Sequence, residues 1–199
     1  MKQQPNPDVY ALKRDYLSQL EALSEQGKVD LFYGDESRVS LTPCVPYAWQ
    51  FKDEMVVLPS EQGSGVNCFA LLSRTNRCYA RMTEENITAD WIKSELDQVS
   101  LSLHRLTVIV LDNARVHTKA VRERWAVWQE RGSFVWFLPT YSPHLNLAET
   151  LWRKLKYEWL RPEDYADKDT LHYAVWQALA AVGTSLTIQF AKHKQANVF

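Results

Sequence analysis

Three carboxylates stand where a folded chain could put them to chemical use. Asp35 closes the apolar run in LFYGDES, Asp112 follows the apolar run LTVIVL, and Glu149 lies near the start of a helical pattern in NLAETLW. Each also has a plainer reading. Asp35 fits a polar residue at a strand end. Asp112 fits a turn aspartate in Asp112-Asn113 that caps the next helix. Asn146 and Glu149 have the spacing of a capping box, and Glu149 stands four residues before Arg153, a good surface ion pair. Glu36 sits beside Asp35 but on the opposite face of a strand, because strand side chains alternate; Asp35 shares its face with Leu31 and Tyr33. Acids from separate elements suit phosphodiester chemistry. Two Mg²⁺ or Mn²⁺ ions roughly 3.5–4 Å apart activate a water and stabilise a leaving oxygen, and Mg²⁺ takes oxygen ligands and needs neither Cys nor His. Three converging carboxylates repel one another, so at least one should have a raised pKa. On this reading, Asp112→Asn leaves the metal-free protein as stable as before, or more so.

The elements that must carry these residues follow from periodicity. A helix is expected over 8–26, ended by Gly27, then a strand over 29–33 that leads to Asp35. One or two short strands are expected within 47–58 and a flexible loop at 60–65. Residues 66–72 and 78–82 form a hairpin around Arg74-Thr75-Asn76. A helix over 88–99 precedes the run at 106–111, which suits a strand covered on both faces. Then come a helix from about Thr118, a strand over 134–138 stopped by Pro139, a helix over 147–160, and a last helix over about 170–182 capped by Asp169. Three strands followed by alternating helices and strands make an α/β chain with a mixed five-stranded sheet and helices on both faces, the order of the ribonuclease-H-like fold.

The 199 residues suffice for one buried domain, and 46% hydrophobic residues can build its core. Most of the eight Trp and nine Tyr are expected in that core. A formal net charge of -1 argues against tight nucleic-acid affinity in this stretch alone, since such binders are usually basic. Three cysteines without a Cys-x-x-Cys pair suggest neither a disulfide framework nor a zinc site and fit a reducing cytosol. No apolar run approaches the roughly 20 residues of a membrane span.

Larger blocks carry a resemblance. The stretch LPTYSPHLNLAETLWRKLK at 138–156 closely resembles the third-acid region of bacterial insertion-sequence transposases of the mariner superfamily, the DDE-type endonucleases. There the usual form is leucine-proline-proline-tyrosine-serine-proline-glutamate-leucine-asparagine-proline-isoleucine-glutamate. VIVLDNARVH at 108–117 resembles the second-acid strand and LFYGDESRVSLTPCVPYAW at 31–49 the first. The match covers about residues 8–185, and the separation of Asp112 from Glu149 is of the length the family uses. Thr140, His144 and Leu147 replace a proline, a glutamate and a proline of that pattern; none of the acids is lost.

The resemblance implies a transposase catalytic domain over 28–185, with 1–27 as a linker helix and 186–199 as a tail. It implies two Mg²⁺ or Mn²⁺ ions on Asp35, Asp112 and Glu149, metal-dependent strand cleavage and strand transfer, and insertion at short TA-containing targets. The implied partners are double-stranded DNA of the transposon ends and target, bound as a homodimer, in the cytoplasm and on the nucleoid. The helix-turn-helix reader of the family is not seen before residue 28, so a separate or missing reader is expected. Asn113 and His117 could orient water or phosphate, with His117 alternatively only a helix-start residue. Asn146 stands beside the third acid. Arg153, Lys154 and Lys156 could hold a DNA phosphate or simply face solvent. The rival readings are a structure-specific nuclease on the same fold and a non-catalytic binding or assembly remnant of a decayed element.

Overall fold

β1 (Asp30–Ser40) is the middle strand of a five-stranded sheet in a computed structural model that describes residues 6–43 and 64–190. On one side β1 pairs antiparallel with β2 (Gly65–Leu72), which pairs antiparallel with the edge strand β3 (Cys78–Thr83). On the other side β1 pairs in parallel with β4 (Thr107–Leu111), and β4 in parallel with β5 (Ser133–Phe137). The order is β3-β2-β1-β4-β5, the mixed sheet expected from the sequence. The strands expected within 47–58, most of the loop at 60–65 and most of the tail lie outside the described residues.

β1 runs further than its apolar residues suggest. The segment 35–40 reads as polar, yet it pairs from Asp35↔Ala70 to Ser40↔Gly65 with β2. Backbone bonds to the antiparallel neighbour extend the strand where side-chain hydrophobicity stops. The β1–β4 ladder is shorter and ends at Tyr33↔Val110. Asp35 therefore lies within a strand, just past the point where its parallel neighbour ends.

Helices cover both faces. α2 (Ala89–Leu101), capped by Thr88 Oγ1, and α3 (Arg115–Glu130) pack Ile92, Leu96, Ala120, Val121 and Trp128 on Phe32, Phe69, Ile109 and Leu111. On the opposite face α4 (Ala148–Lys154) and α5 (Lys168–Ala181) pack Leu151, Trp152, Leu171 and Val175 on Val39, Val66, Cys68 and Ala70. α1 (Pro7–Glu25) lies on that side too, with Leu17 buried against Leu31, Tyr33, Val108 and Val110. Its Glu21 is buried, accepts a hydrogen bond from the Tyr33 hydroxyl and pairs with Arg74 at 2.8 Å. Among the described residues no helix is long and apolar enough to cross a membrane.

Three helix boundaries differ from the periodicity. α3 starts at Arg115, because Ala114 O already accepts from Thr118 N. α5 is capped by Asp167, whose Oδ1 accepts from Thr170 N; Asp169 falls in the first turn, where an acid favours the helix dipole. The helix expected over 147–160 is α4 followed by a π-helical turn, Leu155–Trp159, closed by Leu160 N donating to Leu155 O.

Candidate active site

Asp35, Asp112 and Glu149 line one cavity of about 500 Å³ with Asn113, Asn146 and the turn Pro139–Pro143. Each acid arrives from a different element. Asp35 projects from β1 toward α4, where Trp152 Nε1–H donates to its Oδ2 at 3.1 Å. Asp112 follows the last residue of β4, and its Oδ1 accepts from Ala114 N at 2.8 Å and from His117 Nδ1 at 2.7 Å. Glu149 is the second residue of α4 and is exposed.

The turn entering α4 is tied to the sheet. Asn146 is buried, donates from Nδ2 to Gly34 O at 3.0 Å and accepts at Oδ1 from Ala148 N. Its backbone N–H donates to Pro143 O, so the expected capping-box bond from Glu149 has no donor left to engage. Among the described residues Glu149 and Arg153 form no ion pair, and the Glu149 side chain is free for the cavity. Asn113 Nδ2 donates to Leu138 O at 2.6 Å, holding the end of β5 rather than pointing at the acids. Tyr141 adopts φ 56, a left-handed conformation that costs a non-glycine residue about 1–2 kcal/mol; strain of this kind clusters at functional sites.

Electrostatics separate the two aspartates. Burial pushes the Asp35 carboxyl up to about 7, and the nearby charges of Glu149, Glu36 and Asp112 add to the effect. Asp112 moves the other way: its hydrogen bond with His117 outweighs burial and lowers its pKa. The raised carboxyl expected of a convergent acid cluster is thus Asp35, and the expectation that Asp112→Asn is harmless without metal is not supported by these contacts. For His117, burial alone would lower the pKa, but hydrogen bonds and charges from Asp112 and Glu36 prevail and hold it at about 9.

His117 is fully buried and stands between two acids, with Nε2 2.7 Å from Glu36 Oε2. Strand alternation places Glu36 on the face opposite Asp35. It does face away, toward α3, and meets a partner there that no local pattern reveals. Trp152, on the buried side of α4, adds a contact to Asp35 through its indole N–H, which no local sequence pattern reveals. Arg153 and Lys156 line a second, smaller cavity with Asp35, Glu36, Ser37, Glu149, Trp152 and Tyr157. Lys154 pairs instead with Glu158.

The donors are hard oxygens, as Mg²⁺ or Mn²⁺ requires. Among the described residues no three His, Cys, Asp or Glu side chains are close enough to hold an ion. Trp152 engages Asp35 and His117 engages Asp112. The set fits a divalent cation in kind, and the raised Asp35 carboxyl is a group that a cation would relieve.

The model of the family described as DDE superfamily endonuclease matches residues 30–172. The chain belongs to that family. The match spans β1 to α5 and includes every element that lines the cavity of this endonuclease domain. Its fold is similar to that of the Mos1 transposase in a paired-end complex with the left transposon end (TM-score 0.55, 16% identity, 92% of this chain and 61% of that one). It is equally similar to the Mos1 mariner paired-end complex with Mg (TM-score 0.54, 16% identity, the same 92% and a 62% share). A simian T-cell lymphotropic virus intasome in complex with PP2A regulatory subunit B56 gamma gives a TM-score of 0.50 at 15% identity, over 74% of this chain and 47% of that one. The endonuclease domain thus spans about 61% of the length of the Mos1 chains it matches. At these identities the likeness establishes the ribonuclease-H-like fold. No curated protein matches the sequence.

Proposed function

We propose that this endonuclease domain is the catalytic part of a cut-and-paste DNA transposase, with Asp35, Asp112 and Glu149 as its metal-binding acids. The observation that carries the reading is that acids from β1, the end of β4 and α4 open onto one cavity of a ribonuclease-H-like sheet, inside the family match. Two Mg²⁺ or Mn²⁺ ions on these acids would supply an activated oxygen nucleophile and stabilise the departing 3′ oxygen. Mos1 mariner complexes with Mg and with Mn support the choice of metal.

The chain's own residues divide the work. Trp152 fixes the Asp35 carboxylate from α4, and the Asn146–Gly34 bond holds the start of α4, and with it Glu149, against the strand that bears Asp35. Arg153 and Lys156, beside the acids in the second cavity, contact a DNA phosphate and fix its register without reading sequence. DNA ends and target are the substrates, a homodimer on DNA is the working form, and end recognition rests with a helix-turn-helix reader.

The test is metal-dependent strand chemistry on a duplex carrying the inverted repeats that flank the reading frame. Mg²⁺ or Mn²⁺ should support nicking at the repeat boundary, followed by joining of the exposed 3′-OH to plasmid DNA. Asp35→Asn, Asp112→Asn and Glu149→Gln should each abolish both steps with the fold intact. Nicking that requires no repeat sequence and never yields joined product would point to a simple nuclease. Wild-type cleavage by any of the three variants would remove that residue from the site.

A further inference from the structure

Parallel pairing between β1 and β4 stops at Tyr33↔Val110, yet the two aspartates of the site lie beyond it. Asp35 does not need that ladder, because β2 pairs with β1 as far as Ser40. Asp112 begins the link between β4 and α3, one residue past the β4–β5 ladder, which ends at Leu111↔Phe137. The β1–β4 ladder does not reach Asp112, so its side chain needs other contacts to fix it relative to β1.

The contacts that do so run through α3. Nδ1 of the buried His117 donates to Asp112 Oδ1 at 2.7 Å, and Nε2 stands 2.7 Å from Glu36 Oε2. Glu36 is the chain neighbour of Asp35 and is itself mostly shielded, at 22% side-chain exposure. The imidazole ring is further fixed by Phe69 of β2, with ring centroids 6.2 Å apart. A continuous bridge, Glu36–His117–Asp112, therefore spans β1 and β4 where their ladder has ended. It occupies Asp112 Oδ1, together with Ala114 N, and leaves Oδ2 without a protein donor among the described residues.

We infer that His117 is a positioning residue and Glu36 its anchor, the pair fixing the Asp112 carboxylate relative to Asp35 so that one oxygen stays available to a divalent cation. The inference rests on the metal-site reading of Asp112. Partners that orient a ligating carboxylate commonly matter ten- to a hundredfold in metal affinity. A buried histidine that merely satisfied its own polar atoms would affect stability and leave the metal affinity of the folded protein alone.

Calorimetric titration of the metal-free protein with MnCl2 separates these cases. Glu36→Ala should raise the half-saturating Mn²⁺ concentration about 10–100-fold at unchanged far-ultraviolet circular dichroism. Glu36→Gln should recover most of that loss, because its amide oxygen can stand where Oε2 stands, 2.7 Å from Nε2. His117→Gln should match Glu36→Ala, and the double variant Glu36→Ala/His117→Gln should be no worse than the weaker-binding single variant, as expected of residues acting through one contact. Wild-type Mn²⁺ affinity in folded Glu36→Ala would overturn the inference. Equal loss in Glu36→Ala and Glu36→Gln would overturn it too, by tracing the effect to charge alone. Should His117→Gln fail to fold, the two Glu36 variants decide, since Glu36 leaves no void in the core. Asp112→Asn is the control. If it loses Mn²⁺ binding while Glu36→Ala does not, only the bridge fails; if it binds Mn²⁺ like wild type, the metal-site reading fails and the bridge with it.

Discussion

Removing the Asp35 charge should stabilise the metal-free protein, and more so as pH rises. Its carboxyl is raised from 3.8 to about 7, by burial first and then by Glu149, Glu36 and Asp112. The folded state therefore holds this proton more tightly than the unfolded state does. Below about pH 4 both states are protonated and the fold carries no penalty. Between about pH 4 and pH 7 the unfolded chain ionises and the folded one does not, so stability falls; above about pH 7 the penalty is constant. A shift of this size corresponds to roughly 4 kcal/mol at most. Asp35→Asn keeps an oxygen to accept from Trp152 Nε1–H and loses the charge. Its advantage over wild type should grow from about 1–2 kcal/mol at pH 5 to as much as about 4 kcal/mol at pH 8, a rise of order 5–10 °C in the Tm difference for a domain of this size. Thermal melts in EDTA at pH 5, 6, 7 and 8 measure it. Adding MnCl2 at pH 8 should stabilise wild type far more than the variant. A stability difference that is flat with pH, or an Asp35→Asn protein less stable than wild type at pH 8, would refute the argument that burial and like charges load this carboxyl.

Asp112→Asn should behave oppositely, losing about 1 kcal/mol without metal, since it gives up a charge-assisted bond with His117 that solvent screens at a half-exposed carboxylate; urea melts in EDTA check it. Gly34→Ala should cost about 1–3 kcal/mol, because its Cβ would meet Leu111 Cδ2 at 2.5 Å and Leu71 Cδ2 at 2.8 Å; it should also slow nicking, as Leu111 immediately precedes Asp112. Arg74→Ala strips an ion-pair partner from buried Glu21 and should cost roughly 3 kcal/mol or less, given the partial exposure of Arg74, read as a lower Tm with unchanged Mn²⁺ affinity.

Where side chains alone decide, the sequence was readable. The apolar run before Asp112 became a strand buried along its length, and the 66–72/78–82 hairpin and α2 lie where turn and periodic signals put them. Alternation along β1 also separated the faces of Asp35 and Glu36. Features set by distant partners were not readable. β1 continues through Ser37 and Arg38 only because β2 pairs with it. The start of α4 depends on a bond from Asn146 to Gly34 O, more than a hundred residues away in sequence. His117 looked like a helix-start residue because its acids come from β1 and from the preceding turn, which only the packing of α3 on the sheet brings together. Asp35 carried its signal at the end of an apolar run, and Asp112 and Glu149 at element ends, but the opposite shifts of the two aspartates required knowing that Asp35 is buried and that His117 reaches Asp112.

The central claim is that Asp35, Asp112 and Glu149 together hold the divalent cations of this endonuclease domain. A crystal structure of the protein grown with MnCl2, with data collected near the manganese absorption edge, tests it most directly. The account predicts anomalous peaks in the cavity, with carboxylate oxygens of all three acids at coordinating distance and Asp112 bound through the oxygen that His117 leaves free. Manganese found only elsewhere on the protein, or in the cavity without Glu149 among its ligands, would contradict it.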